Sequence, residues 1–281
     1  MDATREPADP AAPPAARETY THGHHESVLR SHRARTVDNS AAYLVPELRA
    51  GDRVLDVGCG PGTITVDLAR HVDPGEVVGV DAVADVVELA REEASAAGRG
   101  NVRFETGDVY ALACTDGEFD VVHAHQVLQH LADPVAALRE MRRVCRPGGT
   151  VAVRDADYGG FTWYPELPEL DEWMHLFQTV TRANGGEPRA GRRLLHWART
   201  AGFADVAPSA SVWCFATPDD RSWWSGSWAD RTVGSAFGAR ALELGLASAH
   251  DLERIAAGWG AWSEVPDAWF AVLHGEVLAG A

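Results

Sequence analysis

The residues best placed to do chemistry form one short run, Val-Leu-Asp-Val-Gly-Cys-Gly-Pro-Gly-Thr at positions 54–63. Glycines at 58, 60 and 62 suit a chain that must turn sharply and let a ligand approach the backbone with no Cβ in the way. A helix starting near Thr63 would add free N–H donors. The spacing departs from the dinucleotide pattern GxGxxG, whose third glycine would fall at position 63, where this chain has Thr. Asp56 stands two residues before the first glycine, and an acid so close suits a cationic amino group better than a pyrophosphate. Asp81 closes Val-Val-Gly-Val-Asp about one strand–helix–strand step later, where a carboxylate accepts from both hydroxyls of a ribose. Thr-Gly-Asp-Val at 106–109 sets Asp108 where it can accept from an adenine amino group, although a turn role explains such an Asp equally well in isolation. Jointly the three signals describe a site for an adenosine that bears an amino acid.

Such a site needs a sheet whose strand ends carry it. Compact Val-rich runs at Arg53–Val57, Val77–Asp81, Val102–Glu105, Val121–Ala124 and Thr150–Arg154 read as strands covered on both faces. Helical periods lie between them, as in Val135, Leu138, Met141 and Cys145, and Pro-Gly-Gly at 147–149 turns the chain into the next strand. The alternation predicts an α/β fold with a doubly wound, mostly parallel sheet. Residues 1–18 are Pro/Ala-rich and read as a disordered tail, and 19–50 as a helical segment rich in His and Arg at its start. The core spans 51–156 and resumes over 190–216, with a strand near Ser211–Ala216. Insertions at 157–189 and 217–267 carry helices around Leu170–Phe177 and Leu252–Trp262, and 268–281 holds a last strand, Trp269–Leu273. All ten Trp lie after residue 160. Taken singly each is first of all core filling, but several together can wall an apolar pocket.

Composition narrows the partners. The chain has 281 residues, 46% of them hydrophobic, and a formal charge of -16, with every one of its 25 cationic side chains an Arg. Nucleic acid and anionic membranes are disfavoured at long range by that charge. No apolar run approaches the roughly 18–20 residues of a membrane span, and the start lacks a secretory signal. Cys59, Cys114, Cys145 and Cys214 are far apart and read as reduced thiols, so a cytoplasmic location is expected. His22, His24 and His25 could meet His123 and His125, but no carboxylate completes a metal set and no metal is assigned.

The motifs LDVGCGPGT (55–63), VGVD (78–81), GDV (107–109), FDVVHAHQVLQHL (119–131) and RVCRPGGTVAV (143–153) resemble the class I S-adenosylmethionine-dependent methyltransferases. The similarity is greatest to the branch of ubiquinone/menaquinone-biosynthesis C-methyltransferases. It implies a seven-stranded Rossmann-like sheet with an antiparallel last strand and helical cap insertions over the acceptor. It also implies that Asp56 and the loop Gly58, Cys59, Gly60 and Gly62 hold the methionine portion, and that Asp81 with Ala82 takes the ribose. Asp108 and Val109 would read adenine, His125 and Gln126 would line the methyl-donor side, and Tyr20 belongs to a segment (19–36) that closes over the cofactor.

Methyl transfer from a sulfonium chiefly requires the acceptor atom to be held in line, about 3–3.5 Å from the methyl group. A base is needed only if the acceptor must lose a proton. His123, His125, His130, Asp155, Asp157 and Tyr158 are the candidates, with His125, His130 and Asp157 placed first for catalysis. The expected acceptor is a small, apolar or aromatic molecule, and a homodimer is compatible with the sequence. The alternatives are methylation of a peptide or protein group, and binding of the cofactor without transfer. A nicotinamide dehydrogenase ranks last, because of the loop spacing.

Overall fold

The computed structural model describes Thr21 and residues 31–281. Its first half alternates β1 (Val54–Val57), α1 (Thr63–Val72), β2 (Val77–Asp81), α2 (Ala84–Ala96), β3 (Val102–Thr106), β4 (Phe119–His125), α3 (Pro134–Val144) and β5 (Cys145–Ala156). Then come β6 (Thr162–Tyr164), α4 (Pro168–Ala183), α5 (Leu194–Thr200), β7 (Val206–Phe215), α6 (Pro218–Gly234), α7 (Ala236–Glu243), α8 (Ala249–Ser263) and β8 (Trp269–Gly280). A one-turn helix, Val37–Ser40, and a 3-10 turn, Ala42–Glu47, precede β1.

The strands join one eight-stranded sheet in the order β3-β2-β1-β4-β5-β8-β6, with β7 along the other side of β8. The strands β1 to β5 run parallel, and β8 is antiparallel to β5, β6 and β7. This is the doubly wound, Rossmann-like arrangement with one antiparallel strand. Several details differ from expectation: β5 begins at Cys145, which the helical period had included, and β7 begins at Val206, five residues before Ser211. An eighth strand, β6, continues the line of β5 after a five-residue interruption, too short a run to show any alternation. The strand β8 continues seven residues past Leu273, through Gly275 and Glu276, residues that argue against a strand on propensity alone. Gly275 is required there, since a Cβ on it would sit 2.0 Å from the Gly191 carbonyl oxygen.

Helix α3 shows how the core is made. Asp133 caps it by accepting from the Ala136 N–H at 2.9 Å, Pro134 opens it, and Ala137, Leu138, Met141 and Val144 form one buried stripe. Burial of a Leu or Met side chain is worth about 1.5–3 kcal/mol, so this stripe rather than local propensity holds the helix in place. A second core is aromatic. Trp173 is fully buried, with the rings of Trp228 and Trp259 at 4.5 and 4.8 Å, among α4, α6, α8 and the start of β8. Among the described residues no helix is long and apolar enough to cross a membrane.

Candidate active site

The loop between β1 and α1 turns through Gly58, Gly60 and Gly62, with φ of +67°, +55° and +84°. All three therefore use backbone conformations that a side chain disfavours. Their surroundings differ. A Cβ on Gly58 would lie 2.4 Å from Val127, and one on Gly62 would lie 2.9 Å from Ala90 and Phe104. One on Gly60 would meet only His32, at 3.7 Å. Gly58 and Gly62 are thus glycines because protein packs against them, whereas Gly60 borders open space.

That space is a cleft of about 350 Å³ at the carboxyl ends of β1, β2 and β4, where open parallel sheets bind ligands. It brings together Asp56, Gly58, Cys59, Gly60, Asp81, Ala82, Asp108, Val109, His125, Gln126 and His130 from the predicted set. Gly62 caps α1 behind this lining. Asp81 is fixed by two backbone donors, Gly60 N–H to Oδ2 at 3.0 Å and Val83 N–H to Oδ1 at 3.1 Å. Asp108 Oδ1 accepts from Tyr110 N–H at 2.9 Å, a local turn that holds the Val109 backbone against the cleft. Asp56 is buried, its Oδ1 2.7 Å from His123 Nδ1 and its Oδ2 accepting from the Thr65 hydroxyl at 2.6 Å. His123 thus lies behind the cleft, as Asp56's partner across the β1–β4 register.

His125 has both ring nitrogens buried with no hydrogen-bond partner among the described residues. Burial, reinforced by Arg35 and Arg154, holds its pKa well below the ordinary histidine value, so it is neutral. His130 is also neutral, its pKa pushed down to about 3 by burial and Arg35, and its Nε2 faces Gln129 Nε2 at 3.0 Å. Asp155 lies under this wall and accepts from Gln129 N–H at 3.0 Å, with burial pushing its carboxyl up to about 7. Asp157 is not brought to the cleft. Its Oδ1 accepts from Gly159 N–H and its Oδ2 pairs with Arg192. Tyr20 and the three histidines at 22, 24 and 25 lie outside the described residues.

Gln126 is the only non-glycine among the described residues with positive φ, +55°. Its N–H donates to Arg154 O at 2.7 Å and its Oε1 accepts from Arg35 Nη2 at 2.8 Å. Its amide nitrogen donates to His274 Nε2 at 2.9 Å, while His274 Nδ1–H donates to Val272 O at 3.1 Å. One tautomer satisfies every contact in this chain, and neutral His274 fits it, since burial and two arginines hold its pKa well below the ordinary value. Sequence reasoning missed His274, which stands behind Gln126. His274 falls one position beyond the strand end expected at Leu273.

Beyond Arg35 and Gln126 the cleft adjoins a small chamber of about 30 Å³. It is walled by Tyr158, Phe161, Trp213, Trp223, Trp224 and Trp228. His32, Arg35 and Gln126 line both spaces. Of the ten Trp, four therefore wall this chamber, while Trp173, Trp259 and Trp262 fill the aromatic core.

Residues 48–200 match the methyltransferase domain family. The chain belongs to this family. The methyltransferase is 36% identical over 270 residues to an uncharacterized methyltransferase of Schizosaccharomyces pombe, covering 92% of this chain and 95% of the relative. It is 39% identical over 105 residues to the ubiquinone/menaquinone biosynthesis C-methyltransferase UbiE of Bdellovibrio bacteriovorus, covering 37% of this chain and 44% of that one. The similarity in sequence to that branch is therefore real and local. Its fold is similar to phosphoethanolamine N-methyltransferase 2 of Haemonchus contortus, solved with phosphomonomethylethanolamine and S-adenosylhomocysteine. The TM-score is 0.54 at 18% identity, over 85% of this chain and 51% of that one. The methyltransferase uses S-adenosylmethionine, and the cleft suits it: Gly60 leaves room for a ligand against the backbone, and Asp81 is pinned in place at the end of β2.

Proposed function

We propose that this methyltransferase acts on a small aromatic acceptor that sits in the cleft against the chamber of Tyr158, Phe161, Trp213, Trp223, Trp224 and Trp228. The observation that carries the reading is the adjacency of that chamber to the cofactor cleft through His32, Arg35 and Gln126. Aromatic walls favour a flat apolar ring through offset and edge-to-face contacts, worth about 0.5–1.5 kcal/mol each beyond area burial. In this reading Gly60 and its loop face the methionine portion, Asp81 takes the ribose hydroxyls, and Asp108 with Val109 contacts adenine. Asp56, already committed to His123 and Thr65, acts by fixing the start of the loop. Residues 31–36 cover the cleft, and the helices of 157–189 and 217–267 cap the acceptor side.

When bound, S-adenosylmethionine supplies an electrophilic methyl group. The chain's part is to exclude water and align the acceptor, a contribution of proximity and orientation. His125 is the group we assign to the acceptor's proton, because it is neutral and lines the cleft with neither nitrogen engaged among the described residues. His130 is assigned the role of shaping the wall beside it, and Asp157 a structural one in its pair with Arg192. Replacing His125 by Ala should lower turnover roughly 10²–10⁴-fold with little change in cofactor affinity. Near-normal turnover would sink the assignment.

The acceptor class is tested with methyl-labelled S-adenosylmethionine and cell fractions separated into small molecules, protein and RNA. Label in the small-molecule pool supports the reading. Label in protein or RNA overturns it, and binding without any labelled product favours a protein that holds the cofactor without transferring methyl.

A further inference from the structure

Helix α6 carries a charge in a stripe that is otherwise aromatic. Trp224, Trp228 and Arg231 follow one another at four and three residues, so they share a face, and that face lines the small aromatic chamber. Arg231 is only 5% exposed. Its guanidinium lies over the Trp228 ring, 5.0 Å from the centroid, and its Nη2 donates to the Ser31 hydroxyl. A Gln could make the second contact without the desolvation cost of a buried guanidinium, and the first offsets only part of that cost.

The second charge in the chamber wall is also a guanidinium. Arg35 stands at the border with the cleft, where its Nη2 donates to Gln126 Oε1 at 2.8 Å. No carboxylate lines the chamber among the described residues, although the chain has 41 acidic side chains to 25 cationic ones. The field is felt nearby. Burial comes first in holding His125, His130 and His274 below the ordinary histidine pKa, and Arg35 adds to it in all three. Size then selects the anion. At about 30 Å³ the chamber has room for about two oxygen-sized atoms, too little for a ring. A carboxylate offers two oxygens in one plane, the shape that a guanidinium fork pairs best. The ring that bears it stays outside, in the cleft that shares His32, Arg35 and Gln126 with the chamber.

We propose that the acceptor is an aromatic carboxylic acid whose carboxylate enters the chamber, with Arg231 as the residue that selects it and Arg35 as its second cation. The proposal deepens the small-molecule reading above and rests on it. Its test is calorimetric and needs no methyl transfer. Protein loaded with S-adenosylhomocysteine is titrated with salicylate and, separately, with its uncharged counterpart salicylamide. Wild type should bind the acid roughly tenfold or more tighter, as a hydrogen-bonded charge pair requires. Arg231→Gln should remove most of that preference, and Arg231→Lys, which keeps the charge but loses the fork, should narrow it. Ser31→Ala removes the partner of Arg231 but not the charge, and should keep the preference. An Arg231 that merely held Ser31 would instead weaken both probes alike in all three variants. Equal affinities in wild type, a tighter amide, or no binding of either probe overturns the proposal without any variant, as does a preference undiminished in Arg231→Gln. These outcomes leave the small-molecule reading standing, since methyl labelling tests it separately. Failure of S-adenosylhomocysteine to bind wild type, checked first, would overturn the methyl-donor reading and this proposal with it.

Discussion

At the scale of single residues, the cleft separates groups that react from groups that hold. His125 is already neutral well below pH 6.5, so its protonation should not remove activity as pH falls from about 8 to 6. A rate profile of kcat/KM should therefore lack a histidine-like acidic limb in that window. A limb near 6.5 that vanished in His125→Ala would contradict the burial argument. The glycines offer a second separation. Gly60→Ala meets open space and bears only the left-handed strain, about 1 kcal/mol, yet it places a methyl group where the ligand must approach. It should weaken S-adenosylmethionine binding with a small loss of Tm. Gly62→Ala, facing Ala90 and Phe104 at 2.9 Å, should cost more stability, and thermal melts beside a binding titration compare the two.

At the scale of elements, the segment before β1 is latched to the far edge of the site. Arg35 reaches Gln126, and Gln126 reaches His274 on β8. Losing a hydrogen bond to a charged group costs about 1.5–3 kcal/mol, so Arg35→Ala should speed S-adenosylhomocysteine release by tenfold or more in a stopped-flow displacement. An unchanged release rate would mean that the latch does not retain the cofactor. The first-half strands and the loop were legible in the sequence because Val-rich runs and clustered glycines are local signals. The latch was not. It joins positions 91 and 148 residues apart, and its anchor sits in a stretch of β8 that Gly275 and Glu276 disguise. The roles of His123 and His125 were not separable either. Both lie on one face of β4, and only the register with Asp56 assigns His123 to the interior.

At the scale of the whole molecule, buried histidines tie stability to acidity. His125, His130 and His274 have depressed folded-state pKa values, so the unfolded chain takes up three protons that the folded one refuses as pH falls below about 6.5. Their stabilisation is present above that pH and lost below it. Asp155 acts oppositely. Its carboxyl, raised to about 7, is protonated in the folded state first and favours folding as pH falls. The three histidines outweigh the one carboxyl, so stability should fall as pH drops below about 6.5, by about 1.4 kcal/mol per pH unit for each net proton taken up on unfolding. Chemical denaturation across that range would measure it, and a flat profile would show that the histidines are not buried neutral. The placement of β8 also governs how the molecule comes to be made. The strand that lies between β5 and β7 follows both in the chain, with three helices in between. Until it emerges from the ribosome, two strand edges stand open and nothing joins them. Non-local closure of this kind is slow, and open edges are templates for aggregation. The sheet is thus sealed by a segment synthesised after both of the strands it joins, and the nascent chain must be kept from its neighbours until that segment arrives.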